Sequence, residues 1–189
     1  MKTEIEIWLA KDGKEFLKEI GVKKAQVVLD FGCSVGHYTI PIAKVVGKEG
    51  KVYAVDKDRE ALAQLMQIAK SEGLKNIVPI TTSGELKINL ERNSVNAVLL
   101  YDILHYLYLE ERKELYNEVY RILKINGFLS IYPKHHKMDE PLWQLSDTTL
   151  ESLIKEMEDA NFCFNGKRLK KLIHDDNYDT GYILNFRKK

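Results

Sequence analysis

The run Val27-Val28-Leu29-Asp30-Phe31-Gly32-Cys33-Ser34-Val35-Gly36 constrains this chain more than any other stretch. It begins as a short apolar strand, breaks at glycines and opens a helix at His37-Tyr38-Thr39; a second apolar run, Val52-Tyr53-Ala54-Val55-Asp56, follows. Strand, glycine turn, helix and strand are the layout of a parallel α/β crossover of the nucleotide-binding kind. Gly32 and Gly36 can take positive φ and carry no Cβ, so a ligand can approach the backbone closely there.

The two acids narrow the reading further than the glycines do. Asp30 lies inside the turn and Asp56 sits at the tip of the next strand. A dinucleotide site aims helix N-terminal amides at a pyrophosphate, and a carboxylate in the turn would repel that anion. S-adenosylmethionine has no phosphate and carries an ammonium and a sulfonium, so an acid in the turn suits it. Asp56, ending the second strand, is placed to accept two hydrogen bonds from ribose hydroxyls.

Asp30-Phe31-Gly32-Cys33-Ser34-Val35-Gly36 resembles the D-x-G-C-G-x-G signature of class I S-adenosylmethionine-dependent methyltransferases, with Ser34 where that family usually has its middle glycine. Val95-Asn96-Ala97-Val98-Leu99-Leu100-Tyr101-Asp102 looks like the family's fourth strand, and Leu104-His105-Tyr106-Leu107 resembles the "LhHl" segment beyond it. Leu123-Lys124-Ile125-Asn126-Gly127-Phe128-Leu129 resembles the "LkPGG" turn before strand five, with Ile125 and Phe128 replacing the proline and the second glycine. The resemblance runs over about residues 20 to 187 and is nearest to the small UbiE or type-11 kind.

That resemblance implies an α/β fold: a Rossmann-like, doubly wound, seven-stranded sheet, mostly parallel with an antiparallel last strand, in three αβα layers. A single domain over 1–189 is expected, with a helical cap at 1–22 and the core at 23–189. The implied cofactor is S-adenosyl-L-methionine, with S-adenosyl-L-homocysteine as product. Carried onto this sequence, the cofactor-binding residues are Asp30, Gly32, Cys33, Ser34, Gly36, Asp56, Lys57, Ser83, Gly84, Glu85 and Tyr101. Lys57 would lie beside the adenine, and Ser83-Gly84-Glu85 would edge it where the family often has an aspartate.

Methyl transfer from a sulfonium needs a base only when the acceptor must lose a proton. Asp102 and His105 are the catalytic candidates, because they follow strand four at the carboxyl edge where open α/β sheets bind ligands. The same position also suits a His105 that simply packs against the sheet. His135-His136, with Lys134 and Lys137, read either as a solvated loop or as the rim of an acceptor site; two adjacent histidines are too few ligands for a metal.

Along the chain, apolar segments alternate with amphipathic ones. Helical patterning at Ile5 to Leu9 and Phe16 to Ile20 precedes strands and helices predicted at 26–30, 37–46, 51–55, 58–72 and 77–81. A loop over 83–94, strand 95–100, helix 109–123 and strand 127–132 come next, then a helix at 147–160 and a final hairpin through Asp175-Asp176-Asn177. The pocket's cover is expected from Trp8, Phe16, Trp143 and the loop 133–146.

The chain has 189 residues, 44% of them hydrophobic, enough for one buried core. Its 29 basic and 28 acidic residues nearly cancel, so no global field draws it to nucleic acid. The basic residues Lys167, Arg168, Lys170, Lys171, Arg187, Lys188 and Lys189 read as a solvated edge hairpin. No apolar run of about eighteen residues and no signal-peptide pattern is seen, so a cytoplasmic protein without a membrane segment is expected. Cys33 and Cys163 lie far apart and suggest neither a disulfide framework nor zinc. No Asn-Pro-Pro-Tyr or Asp-Pro-Pro-Tyr sequence follows strand four, where Tyr101-Asp102-Ile103-Leu104 stands instead, which disfavours amino methylation of nucleic acid bases. A small-molecule acceptor is the leading expectation for a monomer or homodimer. An RNA or protein methyltransferase and a non-catalytic cofactor-binding module are the alternatives.

Overall fold

The computed structural model describes residues 2–137 and 143–188, so residues 138–142 of the 133–146 loop and Lys189 lie outside the described residues. The chain divides into two compact units, Met1–Gly84 with Lys171–Thr180, and Glu85–Lys170 with Gly181–Lys189. Seven strands form one mixed sheet, in the order Ile77–Thr81, Lys51–Asp56, Val27–Phe31, Val95–Tyr101, Leu123–Tyr132, Asn177–Lys188 and Phe162–His174 across it.

In the first unit a helical segment opens at α1 (Glu4–Ile7), passes through a π turn at Trp8–Asp12 and continues as α2 (Gly13–Ile20). Thr3 starts it with a capping box: its hydroxyl accepts from the Glu6 amide while Glu6 accepts from the Thr3 amide. Leu17 and Ile20 face inward, which places the apolar side of α2 in the core. Gly13 is needed there for space, since a Cβ would stand 2.9 Å from both Pro41 and the Trp8 ring.

Strand β1 (Val27–Phe31) pairs in parallel with β2 (Lys51–Asp56), and β2 with β3 (Ile77–Thr81). Residues 28–31 are all buried, as a parallel strand covered on both faces requires, with Asp30 the one polar side chain among them. Helix α3 (Thr39–Val46) follows β1, and α4 (Arg59–Ser71) follows β2, capped by the Asp58 carboxylate on the Glu60 and Ala61 amides. The predicted start of α3 at 37 moves to 39, because Gly36 turns to φ 95 and keeps His37 and Tyr38 in the turn.

In the second unit β4 (Val95–Tyr101) leads through a 3₁₀ turn at Leu104–Tyr106 to α5 (Leu109–Ile122) and β5 (Leu123–Tyr132). Helix α6 (Leu150–Asp159) comes next, and then β6 (Phe162–His174) and β7 (Asn177–Lys188) form the closing hairpin. β4 and β5 are parallel, with Ala97 opposite Phe128 and Tyr101 opposite Tyr132; β7 runs antiparallel to β5. The stretch read as a turn ahead of strand five is already strand. Val95 pairs with Leu123, the register shifts before Ala97, and Asn126 absorbs the irregularity at φ 64, a conformation asparagine tolerates better than most residues. Helix α5 is tied to α6 by Arg112, whose guanidinium grips the Glu156 carboxylate at 3.0 and 2.8 Å and also donates to the Leu107 carbonyl. No helix among the described residues is long and apolar enough to cross a membrane.

Candidate functional site

The turn after β1 is held by its own backbone. The amides of Gly32 and Cys33 both donate to the Val55 carbonyl, at 2.8 and 3.1 Å, and the Gly36 amide donates to the Cys33 carbonyl. The Ser34 amide donates to the Asp56 carboxylate at 2.7 Å. Ser34 takes φ 46, the left-handed region, where its family counterpart is usually glycine. Gly36 is fixed by two demands: φ 95, and a Cβ that would fall 2.2 Å from the Leu65 side chain of α4. Its lack of a side chain therefore serves the packing of α4 on the turn, a constraint that only the fold reveals.

Asp30 is almost fully buried, at 2% exposure, and accepts a hydrogen bond of 2.5 Å from the Thr39 hydroxyl. Burial raises its pKa to about 7; the Thr39 hydrogen bond opposes the rise and the nearby Asp56 charge adds to it. Thr39, the first residue of α3, was not among the sequence candidates, although a hydroxyl one turn past a buried acid is its signal. Cys33 is buried as well, and burial together with the Asp30 and Asp56 charges pushes its thiol far above the ordinary range, which favours the protonated thiol.

Asp56 is half-buried at the end of β2 and also accepts from the Asp58 amide at 2.9 Å. A carboxylate has about four lone-pair positions, so two remain open for a ligand. Lys57 is exposed beside it. Beyond β3, Ser83 and Gly84 are exposed; the Gly84 amide donates to the Thr82 hydroxyl, and the Thr82 amide to the Asp56 carbonyl. Glu85, which begins the second unit, is exposed too.

Trp8 and Phe16, expected to cover a pocket, are buried in the packing of the N-terminal helix. The Trp8 indole donates to the His37 carbonyl at 2.8 Å and meets Tyr38 edge-on at 5.4 Å. They brace the turn residues. The Tyr38 hydroxyl donates to the Ile173 carbonyl at 2.7 Å. His37 stands 3.7 Å from the Asp176 carboxylate; burial lowers its pKa, and Asp176 and Asp175 pull it back up.

In the second unit, the Tyr101 hydroxyl shares a hydrogen bond of 2.7 Å with Ser130, a partner the sequence did not indicate. Asp102 follows at once in the left-handed region, φ 55, with its amide on the Tyr132 carbonyl. Its Oδ1 is 3.5 Å from Nδ1 of His105, which lies in the 3₁₀ turn and is buried. His135 is also buried and left-handed, at φ 60, and its ring lies 4.6 Å from that of His105. Strained, non-glycine positions directly after two adjacent parallel strands are where α/β folds gather functional groups.

A sterol 24-C-methyltransferase of Gibberella zeae is 29% identical over 114 residues, 60% of this chain and 29% of that protein. A demethylmenaquinone methyltransferase of Geobacillus stearothermophilus is 36% identical over 64 residues, 34% of this chain and 27% of that protein. The matched stretch thus spans less than a third of the length of these two relatives. The crystal structure of an S-adenosylmethionine-dependent methyltransferase from Aquifex aeolicus superposes with a TM-score of 0.72 at 24% identity, covering 96% of this chain and 92% of that one, and so shares its fold. The methyltransferase domain family matches residues 28–127. Since that match takes in more than half of the 189 residues, the chain belongs to the class I S-adenosylmethionine-dependent methyltransferase family.

Proposed function

We propose that this chain binds S-adenosylmethionine at the turn after β1 and transfers its methyl group to a small molecule. The observation that carries the reading is how the turn spends its polar groups. The amides of Gly32, Cys33, Ser34 and Gly36 are all engaged within the protein, so they are not free to cradle a phosphate. Two carboxylates stand in the flanking strands instead, Asp56 at the end of β2 and the buried Asp30 of β1, whose pKa desolvation raises to about 7. Such a pair suits a ligand that brings positive charge and a sugar. The donor set fits the cofactor: Asp30 offers the anion for a cationic centre, Asp56 has lone pairs for ribose hydroxyls, and Ser83, Gly84, Glu85 and Lys57 border the remainder.

When bound, S-adenosylmethionine supplies a methyl group on a sulfonium, whose departing thioether is a good leaving group. The chain's own work is to align the acceptor, exclude water and take up a proton where the acceptor has one to lose. Asp102 and His105 are assigned the last role, with the carboxylate orienting the imidazole from 3.5 Å. A small-molecule acceptor is supported by the relatives named for sterol and demethylmenaquinone substrates.

Calorimetric titration with S-adenosylmethionine, S-adenosylhomocysteine and NAD tests the proposal. Micromolar binding of the first two without the third supports it, and binding of NAD alone overturns it.

A further inference from the structure

Two large aromatic side chains stand open to solvent beside two buried imidazoles in the second unit. Tyr106 is 54% and Trp143 45% exposed, with ring centroids 5.3 Å apart and planes at 74°. His105, at 1% exposure, lies 3.9 Å from the Tyr106 ring and 5.5 Å from the Trp143 ring. His135, at 6%, lies 6.2 Å from Trp143. The Gln144 amide donates to the His105 carbonyl at 3.1 Å and so pins the segment that carries Trp143 against this group.

A cluster serving only stability would bury its tryptophan and leave its histidines in water, because burial gains most from the large apolar ring and costs most for the polar one. Here the order is reversed. Two walls at a near-right angle make a corner in which a flat ring can stack on one face and meet the other with its edge. Behind the walls, imidazole nitrogens are hydrogen-bonding groups able to accept from or donate to a hydroxyl.

We propose that Tyr106 and Trp143 form the acceptor subsite, and that the acceptor is a planar aromatic hydroxyl compound of the phenol class. This rests on the methyltransferase reading and specifies its substrate. In the transfer the phenolic O–H bond breaks and its proton passes to the Asp102–His105 pair. The oxygen's electron pair forms the new O–C bond as the methyl–sulfur bond breaks, and that bond's electrons stay on sulfur, leaving a neutral thioether. A saturated alcohol has no ring face to stack, so the corner discriminates against it.

The test is titration of the full chain, saturated with S-adenosylhomocysteine, with para-nitrophenol and with cyclohexanol. Saturable binding of the phenol is expected, weakened about tenfold by Trp143→Leu or Tyr106→Leu and unchanged by Tyr182→Leu, an exposed ring elsewhere. Equal phenol affinity in all four proteins, or cyclohexanol binding as tightly, overturns the proposal. In the unaltered protein Trp8 is buried and Trp143 exposed, so phenol binding should also quench the solvent-accessible tryptophan emission with the same midpoint; unchanged emission overturns the assignment as well. Absence of S-adenosylhomocysteine binding would instead overturn the donor reading, whereas its binding without phenol binding overturns only the acceptor class.

Discussion

The Ser34 amide donates to the Asp56 carboxylate at 2.7 Å, so the residue expected to hold the ribose also holds the turn in which the cofactor would rest. Asp56→Ala removes an acceptor from two backbone amides, Ser34 and Asp58, as well as from the ligand. It should weaken S-adenosylmethionine binding by about 1.5 to 3 kcal/mol and lower stability by about 1 kcal/mol. Asp56→Asn keeps one oxygen for a single one of those amides and turns its NH2 toward the other, so it too should lose part of the turn's stability while its affinity falls. Calorimetry beside thermal unfolding separates the two roles, and unchanged affinity in both variants removes Asp56 from the site.

Ser34→Gly should stabilise the chain. The left-handed φ of 46 costs a non-glycine residue about 1 to 2 kcal/mol, and the extra unfolded-state freedom of glycine returns about 0.5 to 1 kcal/mol of that. A net gain of about 0.5 to 1 kcal/mol is expected in denaturant unfolding, and a loss would show that the serine side chain does more than tolerate the turn.

Asp30 gives the protein a pH dependence of definite sign. Its folded pKa of about 7 lies above the ordinary 3.8, so the folded state holds the proton more tightly than the unfolded chain does. The stability this contributes is complete below pH about 4, is lost as pH rises, and is gone above pH about 7. Asp30→Asn keeps an acceptor for Thr39 and should flatten that part of the stability curve. If a cation of the ligand pairs with Asp30, binding needs the ionised acid. Affinity should then rise with pH through about 7, with proton release visible as a buffer-dependent binding enthalpy, and a buffer-independent enthalpy would dissociate Asp30 from the ligand.

His105→Ala should lower turnover without changing cofactor affinity, because His105 lies past β4 and no part of the turn after β1 is built from it. The matching variant Asp102→Asn should lower turnover less, since it retains a partner for the imidazole. Equal rates in all three proteins would return His105 to a packing role.

Arg112→Ala should cost about 3 to 5 kcal/mol, since it strands the Glu156 carboxylate, 15% exposed, without its bidentate partner. Replacing both by leucine should recover most of the loss. Chemical denaturation of the single and double variants measures this, and additive losses would contradict the pairing.

Strand positions and crossover order were legible in the sequence because they are local, whereas Asp30, read inside the turn, lies within β1. A buried parallel strand writes itself as an apolar run such as Val27 to Leu29, and the strand carries on through Asp30 because the Thr39 hydroxyl partners the buried carboxylate. The packing reasons were not legible. Nothing near Gly36 announces that Leu65 of α4 fills the space a Cβ would need. Trp8 reads as a lid on an amphipathic helix, whereas the fold buries it on the His37 carbonyl.

The sequence by itself determined the fold class and the family, because periodicity and motif spacing are properties of neighbouring residues. Tertiary structure alone decided the raised pKa of Asp30, the left-handed backbone at Ser34 and the gathering of His105, His135, Tyr106 and Trp143. Desolvation, backbone φ and ring contacts depend on groups brought together from distant parts of the chain, and those arise only when the core closes.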